Sequence, residues 1–160
     1  MANRDTPARR TPADTPLLLD VMLGKLTTYL RMCGYDAAYA LDRDIEADDR
    51  LLELEESEGR LLVTRDAQLA RRADGLLLET KDVTDHLRKL AAAGFELELS
   101  EPSRCANCNG ELVEVAEGGS STPEYAPEPN EMQVWRCPNC GQHFWKGSHW
   151  ESVEETLAGL

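Results

Sequence analysis

The sequence predicts an α/β fold, a parallel sheet with helices on both faces, followed by a small zinc ribbon. Three observations lead there. Short apolar runs alternate four times with helical patterns between residues 17 and 94, the order expected of a parallel sheet joined by crossover helices. The run "RLLVT" at 60–64 carries β-branched content without polar interruption, as a strand covered on both faces requires. Two Cys-x-x-Cys pairs, "CANC" at 105–108 and "CPNC" at 137–140, have the spacing of a four-thiolate zinc site.

Each element has its own signal. Residues 1–15, with their charges and prolines, read as a disordered tail. "LLLD" at 17–20 is a strand that closes on Asp20. From Met22 the apolar residues Met22, Leu26, Tyr29 or Leu30, and Cys33 recur at helical spacing until Gly34 stops the helix. "YDAAYA" at 35–40 is a second strand. "EADDRLLELEESEGR" is a helix with Asp48 or Asp49 near its amino end and Gly59 at its exit. "RLLVT" is the third strand, "AQLARRA" a short helix and "GLLLET" at 75–80 a fourth strand. Asp82 caps a helix whose Val83, Leu87 and Leu90 share a face, with Gly94 as its stop. "FELEL" at 95–99 alternates and is either an edge strand or the lead-in to the ribbon. The layout expected is a tail at 1–15, an α/β domain at 16–100 and a zinc ribbon at 101–160.

Thirty acidic residues against 17 basic ones set the net charge at −13, and only four of the basic residues are lysine. Such a surface suits concentrated salt, where the Debye length falls to about 3 Å at 1 M and the acidic groups repel one another little. The charge argues against loose nonspecific binding of nucleic acid, so an RNA site has to be local. No apolar run approaches the roughly 20 residues that span a bilayer, and "MANRDTPARRTPADTP" has no hydrophobic signal core. The expectation is a soluble cytoplasmic protein without membrane contact.

Between the two cysteine pairs lie 28 residues, more than the roughly 15–20 usual for such sites. The Gly, Ser, Pro and Glu-rich stretch 117–131 accounts for the excess as a flexible loop. Asn109-Gly110 and Gly141 follow the two pairs as turn formers, and a disulfide framework does not suit an intracellular chain. Cys105, Cys108, Cys137 and Cys140 are therefore expected to hold one structural Zn²⁺. Cys33 reads as a small core residue. Trp135, Phe144, Trp145 and Trp150 are expected as exposed aromatics that either stack unpaired bases or supply the ribbon's own core. His86 reads as solvated, and His149 as a residue that holds the ribbon in place or touches substrate.

In open α/β sheets functional groups gather beyond the carboxyl ends of the strands. Asp20 follows the first strand and Asp66 the third, while Asp48 and Asp49 open the helix leading back to the third. Carboxylates brought together there repel one another in a desolvated cleft and call for a cation. A divalent ion with open positions for phosphate oxygens and water fits, and hydrolysis of a phosphodiester is the natural reaction. The sequence holds no Gly-rich nucleotide loop and no G-x-S-x-G. Any one of these aspartates taken singly is more simply a helix cap or a turn former.

The runs "LLLDVMLGKLTTYLRMCGYDAAYA", "EGRLLVTRDAQLARR", "SRCANCNGELVEV" and "RCPNCGQHFWKGSHWESV" together resemble the PIN-like ribonucleases of the Mut-seven carboxyl-terminal type, over residues 17–154. The resemblance implies a PIN-like three-layer fold and metal-dependent ribonuclease activity, endonucleolytic in type, with Mg²⁺ or Mn²⁺ as catalytic cofactor. It implies Asp20 and Asp66 as metal ligands, a middle acid at Asp49 in preference to Asp48, and Asp82 as the least secure fourth. It also implies basic residues beside the metal at Lys25, Arg31 and Arg65, placed to contact phosphate. Lys25 and Arg31 are about 240° apart around a helix and do not both face one site; Arg31 and Arg65 are the preferred pair. Thr27-Thr28 stands where the family commonly has alanine and a second basic residue, which argues against a strongly basic RNA track.

Two functions from different classes follow. The first is a ribonuclease acting on RNA, such as a ribosomal or transfer RNA precursor, with one or two catalytic metals. The second is a non-catalytic adaptor that binds RNA or protein through the ribbon. Intact Asp20 and Asp66 favour the first. The resemblance admits a homodimer, though no exposed apolar helix announces an interface.

Overall fold

The computed structural model describes residues 9–45, 47–116 and 122–160. Strand β1 (Leu17–Leu19) leads into helix α1 (Gly24–Met32) and strand β2 (Ala37–Tyr39), and a 3₁₀ turn at Ala40–Arg43 follows. Helix α2 (Asp48–Glu58), strand β3 (Leu61–Thr64), helix α3 (Ala67–Ala73), strand β4 (Leu76–Leu77) and helix α4 (Val83–Ala92) come next. The four strands form one parallel sheet in the order β2-β1-β3-β4. The predicted α/β class with its parallel sheet is what the chain adopts.

Side-chain alternation along the strands divides the core in two. Leu17, Leu19 and Val63 point to one face, where Leu23, Leu26 and Leu30 of the α1 region and Leu87 and Leu90 of α4 cover them. Leu18, Ala38 and Leu62 point to the other, against Leu51 of α2 and Leu69 of α3. Every residue of β1 is fully buried, which is why it reads as an unbroken apolar run rather than an alternating one. Burying each such leucine stabilises the fold by about 1.5–3 kcal/mol. Gly59 ends α2 at φ +64°, a left-handed conformation that side chains with a Cβ adopt at a cost. Cys33 is buried in the first core, and desolvation pushes its thiol up to about 12.

Several expectations change. Residues 1–8 of the predicted tail lie outside the described residues; of 9–15, Thr15 is buried, Arg10, Thr11 and Pro12 are half-buried and Arg9, Ala13 and Asp14 are exposed. Arg10 donates its N–H to the Gly94 carbonyl and accepts from the Glu96 N–H, each at 2.8 Å. The buried Tyr35 hydroxyl lies between the Arg10 and Glu96 carbonyls at 3.0 and 2.9 Å. The 95–99 run forms no strand, only the single bridge of Phe95 to Arg10. It is the lead-in to the ribbon. His86 is 4% exposed and its Nε2 lies 2.6 Å from the Thr80 carbonyl, so it is a core residue and not a solvated one.

The ribbon is a three-stranded antiparallel sheet of β5 (Val113–Glu114), β6 (Trp135–Arg136) and β7 (His143–Phe144). Of the predicted 117–131 loop, 117–121 lies outside the described residues; 122–131 contains turns and neither helix nor strand. Trp135 and Trp150 are buried, at 5% and 8% exposed, and Phe144 and Trp145 are half-buried. A final helix, α5 (Ser148–Ala158), closes the described chain. Trp150, Val153 and Leu157 give it an apolar stripe, and Leu157 packs against the core beneath α1 and α4.

Candidate active site and metal centre

The chain runs from β1 out to β2 and then returns to place β3 on the other side of β1. That reversal makes the gap beyond β1 and β3 the topological switch point, where open α/β sheets bind ligands. Leu19 pairs with Val63, so the next residues, Asp20 and Thr64, stand side by side at this gap. The Thr64 hydroxyl donates to Asp20 Oδ2 at 2.7 Å and accepts the Asp66 N–H at 3.1 Å. Asp20 Oδ1 takes the Val21 N–H at 2.8 Å. Asp66 caps α3 through Oδ1, accepting from the Gln68 and Leu69 amides. Arg65 lies between Thr64 and Asp66 in the chain, its Nε buried without a partner among the described residues.

The other predicted acids are placed differently. Asp49, in the first turn of α2, pairs with Arg72 at 2.9 Å and is 84% exposed; Asp48 adjoins it in the same turn. Asp82 caps α4, accepting the Asp85 N–H at 3.2 Å. It lines a cleft of about 160 Å³ with Lys25, Lys81 and His86. Among the described residues no three carboxylates have oxygens within 4.8 Å of one another. The edge thus offers Asp20 and Asp66, linked from the Asp20 carboxylate through the Thr64 hydroxyl to the Asp66 backbone N–H, while Asp49 and Asp82 make their contacts elsewhere.

Arg31, expected as a phosphate contact, makes its contacts elsewhere. It is 3% exposed. Its guanidinium donates to the carbonyls of Ala37 at 2.9 Å and Ala106 at 3.1 Å, and to Asp42 at 3.2 Å. The reason is position: α1 carries Arg31 away from Asp20 towards the ribbon, and a buried cation has to be met by acceptors. Thr27, next to it, bonds the Leu23 carbonyl at 2.8 Å.

The four ribbon cysteines do converge, with all Sγ atoms within 4.8 Å of one another. Cys105 and Cys140 are 3.6 Å apart and Cys108 and Cys137 3.5 Å, close to the about 3.8 Å edge of a tetrahedron with 2.3 Å zinc–sulfur bonds. Each knuckle is closed by a backbone turn, Asn109 N–H to Cys105 O and Gly141 N–H to Cys137 O, both 2.8 Å. A Cβ on Gly110 would lie 2.9 Å from Cys137 Sγ, so only glycine leaves room for that sulfur. Burial pushes the Cys105 and Cys137 thiols up. Burial also acts on Cys108, but the Asn139 amide, the Gly110 N–H and neighbouring thiols bring it down to about 7. A set of four thiols with one ionising near neutrality is a plausible zinc site.

The first knuckle docks on the edge of β2. Asn109 accepts the Ala37 N–H at 3.0 Å and donates to Asp36 at 2.7 Å, and Asp36 in turn pairs with Arg60 at 2.9 Å. Asn109 thereby covers an edge amide that would otherwise be open. The sequence marked Asn109 only as a turn former. The sequence marks Thr64 as the end of a strand; Thr two residues before an Asp is the local signal for such a hydroxyl contact.

Residues 15–157 match the family described as the Mut7-C RNAse domain. The chain belongs to this family. The Mut7-C RNAse domain thus covers the parallel sheet, the switch-point acids and the cysteine cluster in one unit, and its nuclease character makes RNA the substrate class. No curated protein and no solved structure matches the chain. Among the described residues no helix is long and apolar enough to cross a membrane.

Proposed function

We propose that this Mut7-C chain is a PIN-like, metal-dependent endoribonuclease with its reacting centre at the gap between β1 and β3. The observation that carries the reading is the chain of contacts from Asp20 through the Thr64 hydroxyl to Asp66. Carboxylate oxygens are hard donors, and Mg²⁺ is commonly held by one or two of them with waters and substrate phosphates completing its shell. Asp20 and Asp66 fit that demand. When bound, Mg²⁺ or Mn²⁺ would offset phosphate charge and make a water more acidic.

The chain's own residues do the rest. Thr64 holds Asp20 in one rotamer. Arg65, half-buried beside Asp66, offers its guanidinium to a phosphate oxygen, and Lys25 and Lys81 border the neighbouring cleft where the RNA backbone continues. A water oxygen bonds to phosphorus, the P–O3′ bond breaks, and O3′ leaves as a hydroxyl, so the products carry 3′-hydroxyl and 5′-phosphate ends. Asp49 and Asp82 join as ligands only if the edge closes on substrate. The cysteine cluster holds one structural Zn²⁺ and locks the first knuckle to β2. The acidic surface suits work in concentrated salt.

The test is cleavage of end-labelled single-stranded and structured RNA in potassium chloride with Mn²⁺ or Mg²⁺, against the same mixture without divalent ion. Asp20→Asn and Asp66→Asn, shown to be folded and zinc-loaded, should each lower the rate at least a hundredfold. RNA that is bound but left intact, equally by all three proteins, would replace the enzyme with an adaptor.

A further inference from the structure

A second cleft, of about 230 Å³, lies where α1, the ribbon and α5 meet. We infer that it holds a single unpaired nucleobase of the RNA whose backbone crosses the acidic edge, an inference that rests on the ribonuclease reading above. Its walls include Phe144, Trp145 and Trp150, flat rings of the kind on which bases stack whatever their sequence. Its size is below the roughly 300–1,000 Å³ of ordinary small-molecule sites, which suits one ring better than a whole nucleotide. Tyr125 packs on Trp145 and His143 with ring centroids 6.0 and 6.3 Å away, holding the wall in place.

Polarity and charge separate a base from an apolar peptide side chain. His143 and His149 line the cleft, and imidazole rings donate or accept hydrogen bonds as a base edge does, a capacity that a hydrocarbon occupant would leave unused. Arg104 lines the same cleft and Lys146 Nζ lies 5.7 Å from the Trp150 ring centroid. Their carboxylate partners, Glu111 and Glu101, are 83% and 63% exposed, and exposed pairs of this kind exchange readily. Two cations flanking an aromatic cleft, in a chain of net charge −13, complement a phosphodiester.

The cleft also lies apart from the switch point. Met32, at the end of α1, borders it, whereas Asp20 precedes the start of α1. The nine residues of α1 span about 13 Å, on the order of four nucleotides of a stacked strand at about 3.4 Å each. The base bound should therefore sit a fixed few nucleotides from the scissile bond.

An abasic scan tests this without relying on any one variant. Fluorescein-labelled 12-nucleotide RNAs, each lacking one base at a successive position, are titrated into zinc-loaded full-length protein carrying Asp20→Asn, and cut positions are mapped with the native chain and Mn²⁺. One position should weaken binding by about 5- to 150-fold, as expected for about 1–3 kcal/mol of stacking, at a constant offset from the cut. Adding Trp145→Ala should remove that position's effect, and Trp145→Phe should restore most of it. A flat abasic profile, or one that Trp145→Ala leaves unchanged, overturns the assignment even if RNA is still cut. Protein that neither binds nor cuts RNA overturns the ribonuclease reading as well.

Discussion

The Thr64 hydroxyl stands between two aspartates 46 positions apart in the chain, donating to Asp20 at 2.7 Å and accepting the Asp66 N–H at 3.1 Å. It is fully buried. A single hydroxyl thus fixes the orientation of one acid and the backbone of the other.

Replacing Thr64 by Val keeps the shape and removes both hydrogen bonds. The change should cost about 1–3 kcal/mol, because the Asp66 amide loses its acceptor. RNA cleavage should fall about 10- to 100-fold, with a raised Mn²⁺ requirement, as for other groups that orient a metal ligand. Steady-state kinetics across a Mn²⁺ titration would check it, and Thr64→Ser should recover most of the rate. Unchanged kinetics in Thr64→Val would remove Thr64 from the site.

Arg31 and Arg65 should separate cleanly. Arg31→Met leaves the Ala37 and Ala106 carbonyls without their donor and should lower stability by about 2–4 kcal/mol, with cleavage per folded molecule little changed. Arg65→Met should do the reverse, sparing the denaturation midpoint and reducing cleavage about tenfold or more. Urea unfolding alongside turnover distinguishes the two.

Gly110→Ala places a methyl 2.9 Å from Cys137 Sγ. Zinc affinity, measured by competition with a chromophoric chelator, should drop about tenfold or more, and Gly141→Ala, which meets no atom within 4 Å but sits at φ +83°, should cost about 1 kcal/mol of stability instead. Stripping zinc altogether should loosen the ribbon, since its binding free energy is also folding free energy.

Acid should weaken the seam between the sheet and the ribbon. Burial acts to raise the Asp36 carboxyl, but donors from Arg60 and Asn109 hold it below the usual range. Its folded value is thus lower than its unfolded value of about 3.9, so its contribution is complete above that pH and is lost as pH falls through the folded value. Asp36→Asn should be less stable than the native chain by about 1–2 kcal/mol near neutrality, and the gap should narrow below about pH 4. A gap that stays constant down to acid unfolding would show that Asp36 contributes by packing and not by charge.

Local chemistry was enough for the helices and strands of the parallel sheet domain and for the cysteine cluster. Fully apolar strands such as Leu17–Leu19 announce burial on both faces, Gly59 announces a left-handed helix end, and Cys-x-x-Cys repeats announce convergent sulfurs. Each of these is decided within a few residues by sterics or ligand spacing. The Asp82 cap is equally readable, because a cap bonds amides two or three positions on. Helix α5 is not announced by its sequence alone although Trp150, Val153 and Leu157 mark its stripe; Leu157 packs against the distant α1/α4 core.

What only the tertiary structure decided is where polar side chains find their partners. Arg31 has the composition of a phosphate contact, yet it meets Ala106, 75 residues away. His86 lies beside charged neighbours in sequence, yet it is turned into the core. Asp20 owes its orientation to Thr64 only because β3 lies next to β1. Charge and hydrogen-bonding capacity belong to the residue and can be read from the sequence, but desolvation and partner geometry arise when remote segments meet, and those determine which acids form a site.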